Sequence, residues 1–330
     1  INGGVINQFQ NSAKLGKSEW SVLESDESDG SFLKIPTTYS VLTNIDKEHL
    51  DFYKSFSNLI KSFEKFLEKT PPFGKSFICI DEINNQKLIK KINTKNYQTY
   101  GFNKNANFHI ILKKKNNKFS KFDLKIKLFG KKNRIYKNFQ IPLLGEHNIQ
   151  NATAAIAIAL ALGINIIHIK KSLKNFKGVQ RRYIKIFSYN KNDFYDDYAH
   201  HPTEINAVLK SVKSVNKNRK IISIFQPHRY SRLKLLKNEF SKSFKLADEV
   251  VLCPVYPAGE KIDPKFNNST FGKLIVKNSK VRLIIIDSEN DLFNYFRQNL
   301  IKDELIICMG AGSISSWIKS ISQNEYFRKS

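Results

Sequence analysis

"KIISIFQPHRYSRLKLLKNEFSKSFKLADEVVLCP", Lys220–Pro254, is the stretch that decides the fold. Ile221–Phe225 and Glu249–Pro254 are short apolar runs of the length and composition of buried strands, and Ser231–Phe244 between them reads as a helix. Strand, helix and strand joined this closely predict a parallel α/β sheet. Outward from it the alternation continues. Strands are expected at Tyr183–Phe187, Phe194–Asp197, Val281–Ile286 and Glu304–Met309, and helices at Thr203–Val215, Ser269–Val276, Glu289–Gln298 and Ser313–Ile321.

The first half carries the same grammar with one interruption. Strands are expected at Trp20–Leu23, Tyr39–Thr43, Phe77–Ile80 and Tyr97–Phe102, with a helix from about Tyr53 to Phe66. Residues 107–144, "NFHIILKKKNNKFSKFDLKIKLFGKKNRIYKNFQIPLL", read instead as β-hairpins with Lys/Asn turns, an antiparallel insert. An Ala-rich helix, Asn148–Leu162, follows. The domain boundary is placed so that 1–181 forms one domain and 182–330 the other, a size that suits 330 residues.

Composition removes several function classes. The longest apolar run, Ala154–Ile164, is shorter than the roughly 18 residues a membrane span needs, so no membrane insertion is expected. "INGGVINQFQNSAKLGKSEW" lacks the apolar core of a signal peptide, and three cysteines (Cys79, Cys253, Cys308) show neither metal spacing nor a disulfide framework, so a cytoplasmic setting is expected. The net charge of +26 invites nucleic acid, but Lys is scattered among Asn, Ile and Phe without a binding motif, and no nucleic-acid partner is expected. Arg, only nine of 55 cationic residues, is the informative cation. Arg181, Arg182, Arg229 and Arg232 fall in "GVQRRY" and "QPHRYSR", close to His200, His201 and His228. A planar guanidinium grips carboxylate or phosphate as Lys cannot, so these segments point to an anion site.

Ligands of open α/β sheets gather beyond the carboxyl ends of strands. Five polar strings fall there: "LESDESDG", "NIDKEH", "DDYAHHP", "QPHRYSR" and "GAGS". Glu24, leaving an expected strand, and His49, after the next one, could hold a divalent cation beside phosphate. Asp26, Glu27 and Asp29 read as capping or turn residues. Asn148 and Asn151 share one helix face, where side-chain amides can read an adenine edge; N-capping by Asn148 is the plainer account. Asp196, Asp197, Tyr198, His200 and His201 offer metal, ribose or substrate contacts. Arg229 and Arg232, one helical turn apart, suit a carboxylate or diphosphate. Neither Gly-Lys-Ser triplet, Gly16–Ser18 or Gly74–Ser76, has the spacing of a P-loop, and "GAGS" lacks the third Gly of a dinucleotide fingerprint.

Taken in order, "ESDESDGSF", "TNIDKEHLD", "GEHNIQNATAA", "GVQRRY", "DDYAHHPTE", "FQPHRYSR", "YPAGE" and "GAGSIS" resemble the Mur ligases of peptidoglycan synthesis across nearly the whole chain. Within that family "DESDGSF" and "PHRYSR" favour the reaction that joins L-alanine to UDP-N-acetylmuramate over the one that recycles cell-wall tripeptide. A noncatalytic nucleotide- or partner-binding module on the same scaffold is the alternative. Implied by the resemblance are a central ATPase domain, a Rossmann-like C-terminal domain, ATP with Mg²⁺, and an acyl-phosphate intermediate. It also implies that a UDP-binding domain and a P-loop precede Ile1, that the 330 residues alone do not ligate, and that "YFRKS" is the natural end. Carried over by motif, Glu24 and His49 bind Mg²⁺, Asn148 and Asn151 adenine, Arg182 ATP phosphate and Asp197 the ribose. Tyr198, His200, His228, Arg229 and Arg232 bind the uridine-sugar and alanine, the last four acting in catalysis. Ala199 departs from the family's usual Gly.

Overall fold

The computed structural model describes residues 1–127, 130, 132–263 and 265–328. Leu128, Phe129 and Lys131 of the expected hairpins, Pro264, and Lys329 and Ser330 of the expected chain end lie outside the described residues. Contacts divide the chain into two units, Ile1–Gly178 and Val179–Ser330.

The first unit is built on a single six-stranded sheet. Its elements run β1 (Tyr39–Leu42), α1 (Leu50–Tyr53), α2 (Phe56–Glu68), β2 (Lys75–Cys79), α3 (Ile83–Ile89), β3 (Tyr97–Gly101), β4 (Phe108–Lys115), β5 (Ser120–Ile126), β6 (Arg134–Ile141), α4 (Glu146–Ala161) and α5 (Ile166–Lys174). Strands β1, β2 and β3 are parallel, while β4, β5 and β6 form antiparallel pairs. The antiparallel hairpins prolong the sheet, because β4 joins β3 through Tyr100↔Phe108 and Gly101↔His109. Alternation along a strand sends neighbours to opposite faces. Ile78 therefore packs with Leu59, Leu67 and Leu88 of α2 and α3, and Phe77 with Ala154 and Ala157 of α4.

The second unit runs β7 (Ile184–Tyr189), β8 (Asn192–Asp197), α6 (Pro202–Val215), β9 (Ile221–Phe225), α7 (Tyr230–Leu235), α8 (Lys237–Lys242), β10 (Glu249–Leu252), α9 (Asn268–Ser279), β11 (Arg282–Ile285), α10 (Glu289–Asn299), β12 (Leu305–Met309), α11 (Ile314–Gln323) and α12 (Glu325–Arg328). Its sheet has the order β11-β10-β9-β12-β8-β7, parallel except for β7 on β8. Every residue of β9, β10 and β12 is buried, as expected of parallel strands covered on both faces. From β9 the chain winds outward to β10 and β11, whereas β12 returns between β9 and β8. In open α/β sheets such a reversal marks the ligand-binding end, here beyond the carboxyl ends of β8, β9 and β12.

Three expectations need correction. Trp20–Leu23 is not a strand. Trp20, Val22 and Leu23 are exposed, and this stretch bonds instead to the chain start, the Ile1 ammonium donating to the Val22 carbonyl (2.8 Å) and the Glu24 N–H to the Ile1 carbonyl (3.0 Å). The helix expected over Ser231–Phe244 is two, α7 and α8, because Leu236 leaves helical geometry (φ −113°, ψ 23°) and is buried with Leu233 and Phe240. Helices α3 and α5, not expected, close the gaps after β2 and α4. Among the described residues no helix is long and apolar enough to cross a membrane.

Candidate functional site

In the first unit the acidic run is a set of turns. Asp26 accepts from the Ser28 N–H (2.7 Å) and Asp29 from the Ser31 N–H (2.9 Å), which makes both turn residues. Glu24 accepts from the Gly3 N–H at 2.6 Å. The carboxylates that meet His49 are others. His49 Nε2 lies 3.5 Å from Glu48 and 3.7 Å from Glu27, and one donor atom from each of these three residues falls within 4.8 Å of the rest. Burial pushes the Glu27 carboxyl up from its ordinary value, with His49 opposing. The expected partner, Glu24, is not in this cluster; it does not leave a strand, so its direction was not fixed as the sequence suggested. His49 itself sits in left-handed backbone (φ 53°) just ahead of α1.

Asn148 does not cap α4. The helix starts at Glu146 with Gly145 as its cap, and Asn148 donates from its side chain back to the Leu144 carbonyl at 2.6 Å. With about 100° between successive residues, Asn148 and Asn151 fall on the face opposite buried Ile149, Thr153, Ile156 and Ala157. Asn151 is exposed.

In the second unit the expected residues do come together. Beyond β8, Glu204 of α6 accepts from the backbone N–H of His200 (2.9 Å) and His201 (3.2 Å), and its carboxylate lies 3.2 Å from His200 Nδ1 and 3.5 Å from Arg182. Burial works against the charge on Glu204, but the His200 hydrogen bonds and the Arg182 guanidinium outweigh it and hold the carboxyl well below its usual range. The His200 ring meets His228 edge-on, centroids 5.7 Å apart, and His228 stacks on Tyr256 at 5.7 Å and 10°. Burial, then His200, Arg232 and Arg229, depress His228 to about 4, so it is neutral at pH 7. Arg232 Nη1 stands 3.3 Å from His228 Nδ1; a guanidinium can only donate, so Nδ1 accepts and Nε2 carries the proton.

Arg229 and Arg232 do not share a helix face, since Arg229 precedes α7 in non-helical backbone at positive φ (φ 59°, ψ 146°). Arg229 lies 3.8 Å from Glu260, which also accepts from the Ser231 N–H (3.1 Å). The two guanidinium groups are thus oriented by different neighbours. Of the paired Arg residues at the boundary, Arg181 is internal, donating to the Gly310 carbonyl and facing Asp196, while the Arg182 side chain is 52% exposed. Asp197 is committed to backbone: its oxygens accept from Tyr183 and Ala199 N–H, both at 2.8 Å, and burial pushes its carboxyl up to about 7. The "GAGS" turn is held by Gln226, which accepts from the Ile314 N–H at 2.9 Å. Gly312 is there for close approach, as a Cβ would come within 2.5 Å of Tyr256.

Glu27 was read from the sequence as a capping or turn residue, and Glu48, Glu204, Gln226, Tyr256 and Glu260 were not singled out. Glu204 and Glu260 stand in "HHPTE" and "YPAGE", and "TE" three residues into a helix is a capping signal that could have flagged the first.

Residues 5–159 match the Mur ligase middle domain and residues 181–312 the Mur ligase, glutamate ligase domain. The chain is 54% identical over 323 residues to the UDP-N-acetylmuramate–L-alanine ligase of Pelagibacter ubique, covering 98% of this chain and 70% of that protein. The Brucella anthropi protein of the same name is 38% identical over 317 residues, covering 96% of this chain and 68% of its own. In fold it is similar to the UDP-N-acetylmuramate-alanine ligase MurC of Thermotoga maritima, with a TM-score of 0.76, 24% identity, and coverage of 99% of this chain and 68% of that one. The chain belongs to the Mur ligase family.

Proposed function

We propose that this Mur ligase joins L-alanine to UDP-N-acetylmuramate at the expense of ATP, in peptidoglycan precursor synthesis and in the cytoplasm. The observation that carries the reading is 54% identity along 98% of the chain to a ligase named for that reaction. The Arg/His cluster beyond the strand ends of the second unit supports it, because the reaction brings carboxylate, phosphate and an amino acid together.

A carboxylate oxygen of UDP-N-acetylmuramate attacks the γ-phosphorus of ATP, and ADP leaves. The amine of L-alanine then adds to the acyl carbon. The tetrahedral intermediate collapses with loss of phosphate and of the amine proton, leaving the amide. Positioning and charge neutralisation supply most of the acceleration in such transfers. Arg229 and Arg232, separately oriented, neutralise substrate oxygens. His228, neutral with Nε2 protonated, donates a hydrogen bond, and Tyr198 and His200 line the same uridine-sugar and alanine end. Arg182, half-exposed beside Glu204, takes ATP phosphate. Asn151, with Asn148, reads adenine from the open face of α4. Asp197 shapes the turn that meets the ribose.

Oxygen donors suit Mg²⁺, and the Glu27–Glu48–His49 cluster offers two carboxylates and an imidazole. We assign Mg²⁺ to His49 with Glu27 and Glu48, and to Glu24 as the further carboxylate of the same run. When bound, the ion offsets phosphate charge.

The test is phosphate release from ATP by the complete reading frame that contains this chain. Release should need both UDP-N-acetylmuramate and L-alanine. Release that ignores alanine, or that requires a tripeptide instead, would overturn the reading.

A further inference from the structure

Asp81 belongs to no element of the expected site, yet it ties three of them together. It lies in the turn between β2 and α3. One oxygen accepts from the Phe102 N–H at 2.8 Å and from the Gln150 side-chain amide at 2.6 Å; the other accepts from the Asn103 N–H at 2.8 Å. A single carboxylate therefore joins the end of β2, the turn leaving β3 and the first turn of α4. The chain wraps closely around it. Gly101 adopts φ +147°, and a Cβ there would stand 2.6 Å from each Asp81 oxygen.

The tie adds a directional bond to the apolar packing of α4. Its body is mostly Ala and Ile, apolar around much of its circumference, so hydrophobic contact alone specifies its rotation weakly. Its start has no side-chain cap. A charge-assisted hydrogen bond has direction where apolar packing has none. Gln150 falls within the buried arc, between Ala157 and Ala154, and about 100° from Asn151. Holding it fixes where the opposite face, with Asn148 and Asn151, points.

We propose that Asp81 is a positioning residue for nucleotide recognition, acting through Gln150 to hold the opening turn of α4 so that Asn148 and Asn151 meet the adenine edge. This rests on the adenine role proposed above for those two residues. Asp81 does not touch the nucleotide; its effect is on which base the turn accepts.

Steady-state kinetics of the complete protein with ATP and with GTP test it. Gln150→Leu removes the link to the helix and leaves both backbone bonds of Asp81 intact. It should raise the KM for ATP about tenfold, leave kcat within about twofold and narrow the preference for ATP over GTP, with a melting temperature lowered by no more than a few degrees. Asp81→Asn should move the same quantities further. Asn151→Ala separates the two ideas. If it leaves the KM and the base preference at wild-type values, the adenine role fails and the positioning role falls with it. If it raises the KM while Gln150→Leu leaves KM and preference unchanged, the adenine role stands and the positioning role is overturned. A lower melting temperature without a change in base preference would also overturn it, by making Asp81 merely structural. Should Asp81→Asn not fold, Gln150→Leu decides alone.

Discussion

The two units hold their polar residues in different ways. In the second, His200, His228 and Arg232 follow the ends of buried strands, and each is oriented by a neighbour: Glu204, Tyr256 and His228 respectively. In the first, Glu24–Asp29 is a run of mostly exposed turn residues tied at Glu24 to the chain start, its N–H donating to the Ile1 carbonyl and its carboxylate accepting from the Gly3 N–H. A preorganised cluster acts through fixed direction. A run of turns acts through charge that can adjust, which suits a cation better than a substrate.

The largest effect expected from that contrast is in the second unit. Arg232→Ala removes both a guanidinium and the donor that sets the His228 tautomer, and kcat/KM should fall by about 10²–10³. A loss of less than about threefold would show that the cluster is not preorganised for the reaction. Next come the acids of the first unit, compared by the Mg²⁺ concentration giving half-maximal activity. Glu24→Gln, Glu27→Gln and His49→Ala should each raise it about tenfold, and Asp29→Asn by less than about twofold. Equal shifts in all four would mean that the run works as undifferentiated charge.

The smallest effect is on stability. His228 is held at about 4 in the folded protein against 6.5 unfolded, so between these values unfolding takes up a proton. Stability therefore falls as pH drops from about 6.5 to about 4. With the ring only half-buried, the contribution is discounted to about 1–2 kcal/mol. Asp197, raised to about 7, acts in the opposite sense, losing its contribution as pH rises, so the difference between wild type and His228→Phe is the quantity to read. Denaturant unfolding at several pH values should show that difference narrowing as pH falls; parallel curves would place His228 in water.

Much of this architecture was legible where residues obey one dominant force. Ile221–Phe225 and Leu305–Met309 are apolar throughout because both faces are covered, and nothing competes with that reading. The Arg and His residues stood out because Lys supplies the ordinary surface charge. Trp20–Leu23 misled because Trp, Val and Leu look like strand residues, yet no strand pairs with them among the described residues and they remain exposed. Helix α3 was hidden by its two Asn residues, whose amides are spent outside the helix, Asn84 on the Ile45 carbonyl and Asn85 on those of Thr43 and Cys79. The Glu27–Glu48–His49 grouping could not be read from spacing, since it depends on a left-handed residue folding the loop back.

His49 and Arg229 are both held at positive φ without being glycine, a conformation that costs a β-carbon residue on the order of 1 kcal/mol. Each therefore lowers the heat resistance of the protein by being what it is. A library screened only for survival at high temperature would enrich glycine at these two sites, and its winners would be sturdier proteins that make less product.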